Sequence, residues 1–172
     1  MWVYGSSGEA RNRPWRSIRN MQFLPIKTRV ILPPKDDIYS VLEKYLPKLK
    51  EKDVLAITSK VLAIHQGRCI KIEKGTAHEK TKLIMREADR YIPQRRRPGQ
   101  HWHLTIKDHT LIADAGIDKS NSNGYYVLWP ENTKKLAKEI WQFLRKRDRI
   151  KELGIIVVDS HLIPLRSGTV GI

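Results

Sequence analysis

The chain has 172 residues, 40% hydrophobic and 30% charged, which is enough for one domain with a buried core and too apolar for wholesale disorder. Its 33 Lys and Arg against 18 Asp and Glu leave a formal charge of +15, a balance that attracts polyanions, nucleotide phosphates or acidic surfaces. A lone cysteine, Cys69, excludes an internal disulfide framework, and no apolar run approaches the ~18 residues of a membrane-spanning helix. The first residues lack a basic start followed by a long apolar stretch, so a cytoplasmic protein without a signal peptide is expected.

Residues 1–20 combine Gly5, Gly8, Ser6, Ser7 and Pro14 with Arg11, Arg13, Arg16 and Arg19, without a helical or strand period. They read as a loose basic arm ahead of a folded part spanning 21–172. An apolar stretch from Met21 to Leu32 is broken at Pro25 and ended by Pro33 and Pro34. Asp36 and Asp37 then open a helix. Its apolar positions are Ile38, Val41, Leu42, Tyr45 and Leu46, and Pro47 stops it.

The run Asp53–Thr58 predicts a strand buried on both faces. Val61–Ile64 suits a short helix or a second strand, and Arg68–Ile72 alternates as a strand. A second helix is expected over Ala77–Tyr91, with Leu83, Ile84, Ala88 and Tyr91 inward. Residues 93–99 form a loop holding Arg95, Arg96 and Arg97. His103–Ile106 and Thr110–Ala113 predict a hairpin around Lys107, Asp108 and His109. A polar loop from Ala115 to Asn121 precedes a strand over Tyr125–Trp129. A third helix is expected from about Asn132 to Lys151, with Leu136, Ile140, Phe143 and Leu144 inward and a basic outer face. Gly154–Val158 is a buried strand running into Asp159 and Ser160. Strands and helices mix without a clean βαβ repeat, so the expected class is α+β, with mixed sheets and packed helices.

No phosphate-binding glycine loop of the Gly-x-x-x-x-Gly-Lys type and no Gly-x-Gly-x-x-Gly fingerprint is present. Asp159 and Ser160, a carboxylate and a hydroxyl at the end of an apolar strand, suit Mg2+ or Mn2+ held against phosphate. A plain strand-ending turn explains them equally well. Asp118 and Asn121 form a similar oxygen cluster, for which an Asx-turn is the simpler account. His101, His103 and His109 read as surface histidines, Arg95–Arg97 as a solvated run, and Cys69 as core or edge filler.

The segment Ala113-Asp114-Ala115-Gly116-Ile117-Asp118-Lys119-Ser120-Asn121 resembles the Asn-Ala-Gly-Ile/Val-Asp-x-Ser-Asn loop of the gamma-glutamyl ligases of the deazaflavin coenzyme F-420. Two further stretches support the resemblance: Ile155–Ser160 with Pro164–Gly171, and Asp53–Lys60 with Gly67 and Arg68. It covers roughly residues 21–172.

The resemblance implies a GTP-driven amide ligation with Mg2+ or Mn2+. A carboxylate of the deazaflavin precursor is phosphorylated, and the amine of L-glutamate displaces the phosphate. It implies a homodimer. With no long apolar run, no membrane partner is expected, and nucleic acid, invited by the basic arm and the third helix, is a less favoured partner for want of strands interleaving aromatic and basic residues. Residue by residue, Asp118 and Asp159 fall on the family's metal-binding aspartates, and Ser160 stands where the family has a threonine near the metal. Asn121, Ser59 and Lys60 fall on nucleotide-contacting positions, as does the segment Arg29, Val30, Ile31 and Leu32. Ile64 stands where a lysine touching phosphate is expected. The resemblance also implies a further part beyond Ile172, with more nucleotide and metal contacts. A non-catalytic relative that binds nucleotide or metal, or serves assembly, is the alternative reading.

Overall fold

The computed structural model describes residues 2–6, 21–92, 102–160 and 169–171. The chain order is β1 (Trp2–Ser6), β2 (Met21–Pro25), α1 (Ile38–Tyr45), β3 (Asp53–Thr58), α2 (Ser59–His65) and β4 (Cys69–Lys71). Then follow α3 (Ala77–Glu87), β5 (Arg90–Tyr91), β6 (Leu104–Lys107), β7 (Thr110–Ala113) and a 3-10 turn at Asp114–Gly116. β8 (Tyr125–Val127), α4 (Thr133–Asp148), β9 (Leu153–Ser160) and β10 (Thr169–Gly171) complete it. The mixture of helices with several small sheets is an α+β fold, as the sequence led us to expect.

The main sheet has the order β10-β9-β3-β1-β2. β3 and β9 run parallel, with Asp53 opposite Leu153 and Thr58 opposite Val158, while the other pairings are antiparallel. Leu55, Ile57 and Val157 form the buried side, packed with Ile38 and Leu42 of α1 and Leu136, Ile140 and Leu144 of α4. A second cluster joins Leu83 and Ile84 of α3 to Ala115, Ile117, Tyr126 and Leu128.

Local chemistry explains the helix starts. The Asp37 carboxylate accepts from the amides of Tyr39 and Ser40 at 3.2 and 3.0 Å, so α1 begins at Ile38. At α3, Thr76 Oγ1 accepts from Glu79 N at 3.2 Å, and the Glu79 carboxylate takes the amides of Glu73, Lys74 and Gly75 in return. The β6–β7 hairpin turns at Asp108 and His109, whose φ values of 49° and 60° suit a tight primed turn.

Several expectations change. The start of the expected basic arm is a strand: β1 lies between β2 and β3, pairing Val3 with both Leu24 and Leu55. Residues 7–20 lie outside the described residues, as does the Arg95–Arg97 run. β3 is buried on one face only. Asp53, Leu55 and Ile57 are buried, Val54 and Ala56 half-buried, and Ile156 beside Ala56 is 41% exposed, because α1 and α4 cover the other side. Of the two alternatives for 61–64, the helix is the one formed, and it begins earlier, at Ser59. α3 stops at Glu87, and Tyr91 is exposed in β5, because the chain turns out to pair with β6. Phe143 is only partly buried against the main core.

Candidate functional site

The parallel pairing of β3 and β9 sets the site. Their C-terminal ends open at one rim, where β3 passes directly into α2 and β9 reaches Asp159 one residue past the Thr58–Val158 pair. Ser59 therefore faces Asp159, and its hydroxyl donates to Asp159 Oδ1 at 2.5 Å. Ser160 closes β9 opposite Thr169 of β10.

A loop from the second cluster comes to the same rim. Asp114, Ala115 and Gly116 take left-handed φ values of 53°, 53° and 71° in succession. Such a run needs holding, since non-glycine residues resist that conformation. Asp114 is 8% exposed, and its carboxylate accepts from His103 N at 2.8 Å, lies 3.3 Å from His103 Nδ1 and binds the Lys80 ammonium at 2.6 Å. Ala115 N donates to Thr105 Oγ1 at 2.8 Å. Gly116 is packed so closely that a Cβ there would sit 2.5 Å from Trp129 Cε3. Past it, Asp118 and Val127 exchange backbone hydrogen bonds of 2.9 and 2.8 Å, anchoring the loop to β8.

Asp118 projects beside α2. Its carboxylate accepts from Ser120 N at 2.6 Å and Ser120 Oγ at 2.9 Å, and pairs with Lys60 Nζ at 2.5 Å. Lys60 also donates to the Ser120 carbonyl at 2.6 Å. Burial pushes the Asp118 carboxyl up, but the Lys60 ammonium and the two Ser120 donors outweigh it and hold the group below the usual carboxylate range.

Thr58, Ser59, Lys60, Gly116, Asp118 and Asp159 line one cleft of about 230 Å3, with Val127 and Leu128 as its apolar wall. Pockets that engulf drug-sized ligands run ~300–1,000 Å3, so this space suits an ion and a phosphoryl group. Two carboxylates with neighbouring hydroxyls are a hard oxygen set of the kind Mg2+ or Mn2+ takes, completed by phosphate oxygens and water. Among the described residues no group of three or more His, Cys, Asp or Glu that could hold a metal ion gathers. His103 packs on Asp114, and His101 lies outside the described residues. Burial pushes the half-buried Cys69 thiol up, which suits a filler and not a nucleophile.

Four of the residues singled out from sequence thus share the cleft: Ser59, Lys60, Asp118 and Asp159. Asn121 follows Ser120 in the same loop, exposed, with a φ of 50°, and it does not line the cleft. The Arg29–Leu32 segment lies apart from the cleft lining. Arg29 grips Asp36 with both terminal nitrogens at 2.5 and 2.6 Å, Val30 is 73% exposed, and Leu32 is also exposed. Ile31 packs against Ala63, Ile64 and Val127 and borders a smaller apolar cavity that shares Thr58 with the cleft. Ile64 is itself buried. The sequence reading missed Thr58, Gly116, Val127 and Leu128 as lining residues. Gly116 had a signal, a glycine inside the most specific motif; the other three look like ordinary strand residues.

This arrangement defines an α+β protein with an acidic, lysine-capped cleft at the rim of a parallel strand pair. Residues 25–172 match the F420-0:Gamma-glutamyl ligase family, and the chain belongs to that family. Among its relatives, the "Coenzyme F420:L-glutamate ligase" of Methanococcus maripaludis strain S2 is 26% identical over 137 residues, 79% of this chain and 52% of the relative. The protein of the same name from strain C7 is 26% identical over 147 residues, 77% of this chain and 56% of the relative. The chain thus spans about half the length of the curated relatives it matches.

Proposed function

We propose that the chain works as an amide-forming ligase. It joins the amine of L-glutamate to a carboxylate of a deazaflavin coenzyme precursor in the cytoplasm, driven by GTP with Mg2+ or Mn2+. Family membership supports the ligase class. The observation that carries the metal and nucleotide part is that Asp118 and Asp159, from separate segments of the chain, line one cleft together with Lys60.

In this reading a divalent cation, when bound, offsets charge on the transferring phosphoryl group and helps orient it. Asp118 and Asp159 supply the anionic oxygens that hold it, and Ser59 and Ser160 supply auxiliary hydroxyls. The Lys60 ammonium, paired with Asp118, lines the same cleft and would reach a phosphate bound there. Asn121 and the backbone of residues 29–32 serve the rest of the nucleotide. The reaction balances as two transfers: the terminal phosphoryl group of GTP passes to the acceptor carboxylate, and the glutamate amine then displaces phosphate, losing a proton to solvent. The Val127 and Leu128 wall limits water around the phosphorylated acceptor. A second copy of the chain is the proposed partner, on the resemblance alone, and equilibrium sedimentation reads it.

The test is incubation with GTP, Mg2+, L-glutamate and the deazaflavin carboxylate. It should release GDP and add one glutamyl mass to the acceptor. Asp159→Asn should weaken Mn2+-dependent GTP binding at least about tenfold, the scale seen when metal sites lose a supporting group. Equal affinity of both forms in calorimetry contradicts the proposal. A second reading, a non-catalytic relative that keeps binding, is favoured by Ile64: a buried apolar side chain stands where the family resemblance implies a lysine. Metal-dependent GTP binding without GDP release would select it.

A further inference from the structure

The two cleft carboxylates are capped by successive residues of one helix start, and the two caps differ in kind. Ser59 donates its hydroxyl to Asp159. A hydroxyl has lone pairs as well as a proton, so it can turn and join a metal shell without leaving. Lys60 places its ammonium on Asp118 Oδ2. An ammonium has only donors and a full positive charge, and Ser120 Oγ also donates to Oδ2, so that oxygen has no lone pair left for a dication while the lysine stays. It has to move before a metal can use that oxygen, and its charge opposes a dication anywhere on the carboxylate.

The surroundings allow that movement. The Lys60 side chain is 26% exposed and that of Asp118 is 43% exposed, so the pair opens to solvent. The lysine's other short contact is one carbonyl, that of Ser120 at 2.6 Å; Ser120 Oγ lies at 3.5 Å. The two Ser120 donors stay on the Asp118 carboxylate when the lysine leaves, so the group remains oriented. A departing ammonium needs a new anion, and a phosphate arriving with the cation provides one within reach of the same four-carbon stem.

We propose that Lys60 is an exchangeable counter-cation: it holds Asp118 while the cleft lacks ligand, and swaps onto phosphate when a divalent cation and a phosphate enter together. The inference rests on the metal and nucleotide reading given above. It adds that metal and nucleotide bind synergistically. A cation alone must displace the lysine without recompense, and a phosphate alone finds the lysine already engaged. By linkage each ligand then raises the affinity for the other by the same factor.

The experiment compares the wild-type chain with Lys60→Gln and Lys60→Arg, using paramagnetic resonance for Mn2+ alone and calorimetry for GTP at saturating Mn2+. Near-UV circular dichroism checks that each variant is folded. Lys60→Gln should bind Mn2+ alone at least about fivefold more tightly, and GTP with Mn2+ at least about fivefold more weakly, the lower end of ordinary coupling factors. Lys60→Arg, which keeps the charge, should shift neither by as much. Opposite signs for the two ligands are the signature, because a merely structural lysine would weaken both. If both affinities fall together, or neither changes, the exchange is overturned while the metal reading stands. If neither wild type nor Lys60→Gln takes up Mn2+, with or without GTP, and Asp118→Asn changes nothing, the metal reading fails and the exchange falls with it.

Discussion

Arg29 and Asp36 show how a single ion pair can occupy a side chain that would otherwise be open to an anion. An exposed arginine in a basic chain invites a phosphate, yet its fork is already bound by Asp36 at 2.5 and 2.6 Å. The arginine, more than the supporting amides of Asp37 and Leu32, lowers the Asp36 pKa from 3.8 to about 2. A carboxyl depressed on folding contributes stability above its unfolded pKa and loses that contribution as pH falls through the folded value. The window therefore runs from near pH 4 down to near pH 2. Arg29→Gln should flatten it: melting temperatures of wild type and variant should converge as pH drops from 4 to 2, the wild type losing more. Parallel acid limbs would show that the pair does not contribute. No sequence pattern announces this contact, because the partner lies seven positions away across two prolines and the pairing depends on how the chain turns there.

At the scale of elements, the loop carrying Asp118 is the part that had to be built against its own preferences. Three successive left-handed residues are tolerated because Asp114 is held by Lys80 and His103, and because Gly116 lets Trp129 approach. Gly116→Ala should cost about 3 kcal/mol of unfolding free energy, combining ~1–3 for overpacking with ~1–2 for a left-handed alanine. Gly124, with a φ of 81° and no neighbour within 4 Å of where a Cβ would sit, supplies the control. Gly124→Ala should show the backbone part alone, roughly 1–2 kcal/mol. Urea denaturation reads the difference, and equal losses would mean that contact with Trp129 is not what demands the glycine. The regular elements were easier to read. The i, i+3, i+4 spacing of α1, the alternation around Asp108 and His109, and the apolar run of β3 each carry a local period or turn chemistry. β1 was hidden for the opposite reason. Its five residues sit next to a stretch of Gly, Ser and Arg, and its pairing with β3 spans some fifty positions, a distance over which periodicity carries no information.

For the whole molecule, the mixed class followed from the order of predicted strands and helices, but the one-sided cover of the main sheet did not. Apolar residues on both faces of β3 read as burial on both, while the helices α1 and α4 reach one. The candidate site was legible as residues and not as a place. Asp118 and Asp159 stand out singly as carboxylates after small or apolar runs, and only the parallel register of β3 with β9, together with the anchoring of the 114–118 loop on β8, brings them to one rim. The family match spans 25–172, so both acidic residues and both caps fall inside it. The central claim, that these two carboxylates serve one divalent cation, is tested most directly by anomalous diffraction from crystals soaked in Mn2+ and GTP. The account predicts a manganese peak in the cleft within ~2.0–2.3 Å of carboxylate oxygens from both Asp118 and Asp159. A cleft without manganese, or manganese held by one of the two while the other stays on its cap, would contradict it.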